Sequence, residues 1–530
     1  MSFKRQGILL VVILSISSLL RFAGLAWGEG YYFHPDENNI AQALLNLDQK
    51  GNPEFYAYGQ LPLLLALFSA RIYQLFSFIH QQPNLDFGQA VLLLRFWSAL
   101  GGVASVWLGY LLGKKLISHQ AGLTTATIIG FLPGLIQASH FGTTESLLTF
   151  FYLAIGYFSI SFYQESKTKD IILAGVFSGL ALATKISAAF FSLIPLLTLL
   201  IARKKLTYWL GLAIIILAIT IIFSPFLVID FSQTLSTLKY EVAIAQGKIA
   251  TFYTRQFLET APFIFQITKI FPFSIGWPVI LISLLGLIIT LFQKPFSSKT
   301  LPPWLIILIP ALIFFLYQSQ LFTKWTRFMT PIIPIFSLLA AQALTKSPRL
   351  IQYIVLIISV LPGIFFFDIA YAQIDVRLQF SSWAKGNFPS ESFILSETGN
   401  TLGLPLGEHD LEIVNFNFYN LEEKDYQDQL CQLLEKADYI VIPNRRIFAN
   451  HPPKKFPNIA NYYQKLFLGQ LGFSQLKVFS PNGYLPTALL YKNEEAWAEE
   501  TWTVFDHPTI RVYQKSRSYS IKEYQQLIFK

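Results

Sequence analysis

Charge is scarce in this chain. Of its 530 residues, 13% are Asp, Glu, Lys or Arg, about half the share usual in a soluble domain. The shortage falls on residues 1–370, which are long apolar runs broken by short polar pieces, whereas residues 371–530 read like ordinary water-soluble protein. Cysteine is scarcer still: Cys431 stands alone, which excludes an intrachain disulfide. The histidines are His34, His80, His119, His140, His409, His451 and His507, and none forms an i,i+4 pair or other zinc-like spacing. A divalent metal is otherwise left open. The net charge of +9 is modest for this length. Its Lys and Arg gather in short clusters between apolar runs, a pattern of membrane orientation and not of nucleic-acid binding.

What the chain has in abundance is apolar length. Runs of roughly 18–22 residues match the hydrocarbon thickness of a bilayer. They fall at 7–27, 91–113, 121–139, 146–163, 171–184, 187–202, 207–227, 276–293, 303–319, 329–344 and 350–369. The first follows Lys4-Arg5, runs from Gly7 to Trp27 and ends without a small-x-small cleavage site, so it is read as a signal anchor. Segments 171–184 and 187–202 are short for spans. The segment 61–80 is also apolar but contains Pro62, Arg71 and His80. Positive loops stay cytoplasmic. The clusters Lys4-Arg5, Lys114-Lys115, Lys167 with Lys169, Arg203-Lys204-Lys205, Lys294 with Lys299, and Lys346 with Arg349 share one side only if 61–80 does not cross. That segment is therefore placed in a first external loop, 28–90, as an interfacial or re-entrant helix. The expected fold is a polytopic α-helical membrane protein of about eleven spans, with a cytoplasmic N-terminus. A transmembrane region, 1–370, precedes an extracytoplasmic α/β domain, 371–530, and the chain is placed in the plasma membrane.

This topology brings the unusual polar residues to one face: His34, Asp36 and Glu37; His140, Thr143, Thr144 and Glu145; Lys185; and Lys324 with Arg327. Ionisable groups near bilayer depth are costly and mark a site or a pathway. Each also has a plainer reading. His34-Pro35-Asp36-Glu37 is a good helix start, with acids facing the dipole. Glu145 behind Thr143-Thr144 is another. Lys185 and Arg327 suit interfacial anchoring. The functional alternative makes one carboxylate a general base while another orients a neighbour, with the two cations on a bound phosphate. Much of the 16% aromatic content suits lipid-facing and packing surface.

The order of short motifs resembles the multispanning GT-C type glycosyltransferases, in the branch of protein O-mannosyltransferases and aminoarabinose transferases. The pieces are His34-Pro35-Asp36-Glu37; Tyr58-Gly59-Gln60-Leu61-Pro62; Arg95; Thr143-Thr144-Glu145-Ser146-Leu147-Leu148; Gly179 through Lys185; and Arg327-Phe328-Met329-Thr330-Pro331 with Pro334. The resemblance implies a polyprenyl-phosphate sugar donor bound from the external side and a protein, lipid or glycan acceptor. It implies Asp36 as essential base, with Glu37 its neighbour, Glu145 in the second acidic position, and Lys185 and Arg327 on the donor phosphate. Two departures stand out. Glu145 occupies a position where the family more often has Asp, and Gln60-Leu61-Pro62 replaces a Lys-Pro-Pro-Leu pattern. A transporter or lipid flippase is the rival class, but it predicts midplane polar residues and repeat symmetry, and the sequence shows no internal repeat.

In the tail, strand-like runs at 393–396, 411–416, 438–442, 475–480, 487–491 and 509–513 alternate with a helical pattern over 421–436. This predicts a small α/β domain. Arg445, Arg446 and Tyr513 are read there as solvated surface, with substrate contact as the alternative.

Overall fold

The computed structural model describes residues 3–76, 85–292, 302–398, 403–406, 411–485 and 494–530. The chain divides into two units: Met1–Leu25, Asp36–Gln246 and Pro262–Phe367 in one, and Ala26–Pro35, Gly247–Ala261 and Asp368–Lys530 in the other.

The first unit is helical. Its early elements are α1 (Phe3–Phe22), α2 (Pro35–Lys50), α3 (Leu61–Phe76), α4 (Phe87–Leu116), α5 (His119–Phe131), α6 (Pro133–His140), α7 (Glu145–Glu165) and α8 (Thr168–Leu182). Helices follow at Leu193–Ile201, Leu206–Phe223, Phe231–Ala245, Trp277–Phe292, Trp304–Gln320, Pro334–Leu344 and Arg349–Ala370. Among the described residues, five helices are long and apolar enough to cross a membrane: those within Arg5–Phe22, Phe87–Leu116, Glu145–Glu165, Leu206–Phe223 and Arg349–Ala370. The number rises to 8 if each of three bent pairs is one span. Apolar burial separates their roles. Only 6% of Leu206–Phe223 is buried, against 78% of the most apolar stretch of α7. A bare apolar helix of that length suits hydrocarbon, with its backbone bonds satisfied internally.

The bends have local causes. α5 and α6 meet at 57° where Pro133 supplies no N–H to continue the ladder. Arg21 then answers the orphaned carbonyls: its guanidinium donates to Gly130 O at 2.9 Å and Ile129 O at 3.1 Å, placing a buried cation at a helix C-terminus. The 109° bend before Trp277 falls at Gly276, whose φ of +88° suits a residue without Cβ. The short segment 187–202 opens with a three-ten turn, Ile186–Ser192. Of the segment 61–80, residues 61–76 form α3, and 77–80 lie outside the described residues.

The second unit is built on a five-stranded sheet of β1 (Phe393–Glu397), β2 (Glu412–Phe416), β3 (Tyr439–Ile442), β4 (Phe473–Phe479) and β5 (Ile510–Lys515), in the order β2-β1-β3-β5-β4. β1 runs parallel to β2 and β3, and β5 antiparallel to β3 and β4. Both faces are covered, because alternate residues point oppositely. Ile440 and Ile442 join a core with Leu430 and Leu434 of the helix Lys424–Lys436. Tyr439 and Val441 join another with Phe380 and Ala384 of the helix Val376–Asn387. The run 487–491 lies outside the described residues.

Three residues read as solvated surface are instead buried. Tyr513 belongs to the core around Ile440. Arg446 pairs with Glu500, and Arg445 donates to Ala498 O at 2.8 Å. Neutralising partners from distant sequence make the burial of these cations tolerable.

Candidate active site

α2 begins at Pro35, where a missing N–H costs nothing, and places Asp36 and Glu37 in its first turn. Adjacent helical residues point in different directions, and these two acids take different partners. Glu37 turns inward. Arg95 Nε and Nη2 donate to Glu37 Oε1 and Oε2 at 2.7 Å each, and the Gly142 N–H donates to Oε1 at 2.7 Å. The remaining arm of Arg95 donates to Leu25 O at 2.9 Å. Both side chains are sealed, at 0% and 1% exposure. Asp36 pairs instead with Arg327, and each of these side chains is 26% exposed. One acid joins α2 to α4, and the other faces accessible space.

Glu145 opens α7 behind Thr144. Thr144 stands at the cap position in helical conformation, and its hydroxyl donates to Glu145 Oε1 at 3.1 Å without capping the helix. Lys185 Nζ donates to the same oxygen at 3.0 Å. Lys185 lies in extended backbone between α8 and the three-ten turn, with its ammonium 4.7 Å from the Tyr58 ring and 5.6 Å from the Phe328 ring. The Arg327 guanidinium lies 5.7 Å from the same Phe328 ring and 4.9 Å from Trp325. Two carboxylate–cation pairs therefore share one aromatic residue, and their cations can be no farther apart than the sum of the two Phe328 distances.

The stretch after α2 holds this arrangement in place. Gly59 N donates to Thr184 O and Leu61 N to Ala183 O, each at 3.0 Å. A Cβ on Gly59 would lie 2.1 Å from Ala183 O, so only glycine permits the approach. Gln60 is fixed by Ser224, whose hydroxyl accepts from Gln60 N at 3.1 Å and donates to Gln60 Oε1 at 2.6 Å. Asp230 Oδ2 accepts from Asn52 Nδ2 at 2.9 Å and from Tyr56 OH at 2.8 Å. Sequence reading quoted Tyr58 and Gly59 only as a motif and passed over Asp230. The one available signal for Asp230 was an isolated acid closing an apolar run.

The other candidates have contacts of their own. His140 is buried, its ring nitrogens facing Ile136 O and Ala23 O at 2.9 Å each, which ties α6 to α1. Lys324 is buried and donates to Phe322 O at 3.0 Å; desolvation lowers its ammonium pKa from the ordinary value. His34 belongs to the second unit, where its ring lies 4.3 Å from that of Phe505. Among the described residues, no group of three or more His, Cys, Asp or Glu is placed to hold a metal ion.

Residues 75–229 match the family described as dolichyl-phosphate-mannose-protein mannosyltransferase. No curated protein sequence matches the chain. Among solved structures, the archaeal oligosaccharyltransferase AglB from Archaeoglobus fulgidus, in complex with an inhibitory peptide and a dolichol-phosphate, superposes with a TM-score of 0.53 at 12% identity. That match covers 91% of this chain and 74% of that one. ArnT from Cupriavidus metallidurans, bound to undecaprenyl phosphate, gives a TM-score of 0.49 at 13% identity, over 96% of this chain and 98% of that one. The chain thus shares its fold with the archaeal oligosaccharyltransferase, and its residues 75–229 match the mannosyltransferase family.

Proposed function

We propose that the chain transfers a sugar from a polyprenyl-phosphate-linked donor to an acceptor hydroxyl on the extracytoplasmic side of the membrane, with inversion at the anomeric carbon. The observation that carries this reading is the pairing of Asp36 with Arg327 and of Glu145 with Lys185 around Phe328. Without substrate, each cation is neutralised by a carboxylate. A donor phosphate would compete for both cations, and Arg327 drawn to it would release Asp36. The acceptor oxygen would then attack the anomeric carbon while Asp36 takes its proton. The bond from that carbon to the phosphate oxygen breaks with its electron pair on the phosphate. The phosphate carries about one negative charge as a diester and about two once released as a monoester. Arg327 and Lys185 would thus hold the leaving group more strongly than the ground state, the requirement for catalysis rather than mere binding. Glu37, sealed against Arg95, is given a positioning role.

The polyprenyl-phosphate reading draws on the dolichol-phosphate in the archaeal neighbour, and the external orientation draws on the clustering of Lys and Arg. The test is transfer from a radiolabelled polyprenyl-phosphate sugar by purified protein. Asp36→Asn is expected to lose about 100- to 10,000-fold in turnover while retaining donor binding. Turnover close to wild type would reject Asp36 as the base.

A further inference from the structure

A groove of about 260 Å³ opens between α8 and the helix Leu206–Phe223, at the start of both. Its walls include Ile172, Gly211 and Ile215, and its mouth carries Thr168, Thr207 and Tyr208. Beneath it lies a small core of Phe162, Ile171, Ala174, Leu199 and Leu212. The fifteen residues of α8 separate this mouth from the Lys185 end, about 22 Å along the helix axis. The groove is thus distinct from the paired carboxylates.

The mouth is strongly basic. Lys167 and Lys205 immediately precede the two helices. Lys167, Lys169, Arg203 and Lys205 are exposed, and Lys204 places its ammonium 5.0 Å from the Phe162 ring and 5.8 Å from Tyr208. Of the nearby acids, Asp170 is buried, and Glu165 is shared between Lys115 and Lys167 at 2.7 and 2.5 Å. Two helix N-termini add their positive ends. Tyr208 and Trp209 beside lysines form the kind of belt that sits at a membrane surface. Little of the Leu206–Phe223 helix is buried, which suits a groove open to hydrocarbon.

We infer that this groove is a binding site for an anionic phospholipid, with one acyl chain against Gly211 and Ile215 and the phosphate against Lys204, Lys205 and Arg203. Apolar walls below a cationic rim distinguish such a lipid from a zwitterionic one, whose amine the rim would repel. The inference requires only that the chain lies in a membrane, not that it transfers a sugar.

Native mass spectrometry of the full chain, extracted from nanodiscs of equal phosphatidylglycerol and phosphatidylcholine, tests it. Wild type is expected to retain one phosphatidylglycerol with roughly tenfold preference. The triple variant Arg203→Gln, Lys204→Gln, Lys205→Gln is expected to lose that preference. Gly211→Leu should lose retention of the lipid while folding at least as well, because a Cβ there meets nothing within 4 Å and leucine favours helix over glycine. Equal retention of the two lipids by wild type, undiminished retention by Gly211→Leu, or a lipid-free dimer would each overturn the proposal.

Discussion

Asp36, in the first turn of α2, pairs directly with Arg327, and both side chains remain about a quarter exposed. Its neighbour Glu37 is sealed against Arg95. A carboxylate held by an accessible guanidinium can exchange that partner for a phosphate, whereas one locked in a buried bidentate pair cannot do so without breaking the packing. The two neighbouring acids thus differ in partner and in exposure.

Arg327→Lys tests the anion-binding half of this arrangement. Lysine keeps the charge but loses the planar fork that grips two phosphate oxygens. Loss of one charge-assisted hydrogen bond predicts a decrease of roughly 10- to 100-fold in kcat/KM for donor. Full activity in Arg327→Lys would mean that charge alone suffices.

Glu37→Gln leaves Arg95 buried without a compensating charge, and a destabilisation of about 3–5 kcal/mol is expected. Thermal unfolding in detergent measures it. The double variant Glu37→Gln, Arg95→Met should recover much of this stability and retain transfer. A double variant that is folded yet inactive would show that Glu37 does more than position α2.

Gly59→Ala probes the packing beneath Lys185. The new methyl would meet Ala183 O, one residue before Thr184 and two before Lys185. The strand of loop that donates from Gly59 and Leu61 to this segment would have to shift. Misplacing a charged group by about 1 Å can cost about 100-fold in rate, so kcat should fall more steeply than the unfolding temperature. Unchanged kcat would separate this contact from the working arrangement.

Much of this architecture was legible because membrane spans and basic clusters are local signals. Each apolar run expected to cross overlaps helix among the described residues, but only five helices there, or up to 8 with each bent pair as one span, are long and apolar enough to cross. Pro133 shows what hydropathy alone missed: a long apolar run can be broken into two segments by one missing donor. The charged candidates were legible as residues but not as partners. Asp36 and Glu37 are consecutive, and their different destinations depend on Arg327 and Arg95, which lie far along the chain. Arg446 is the clearest misreading. An Arg-Arg pair looks solvated until Glu500 arrives beside it, and nothing local announces that contact.

His507 provides a pH test of the second unit. Burial pushes its imidazole pKa down, but the carboxylates of Asp506 and Glu494 outweigh that effect and hold it up, at about 9. Asp506 Oδ1 lies 2.6 Å from the ring, and Tyr371 donates to the other oxygen of that acid at 2.6 Å. A folded-state pKa above the unfolded value of about 6.5 means that the folded protein binds more protons between those limits. The resulting stability is complete below pH 6.5 and is lost as pH rises toward 9, by about 3 kcal/mol at most. Buried Glu397, raised to about 8 by desolvation, acts in the same direction from lower pH, so wild type alone cannot assign the slope. The discriminating measurement is thermal unfolding across pH 6–9.5 for wild type and His507→Asn. The variant should show a shallower decline across pH 6.5–9, keeping only the share that Glu397 carries, and a slope identical to wild type would show that His507 is already neutral in the folded protein.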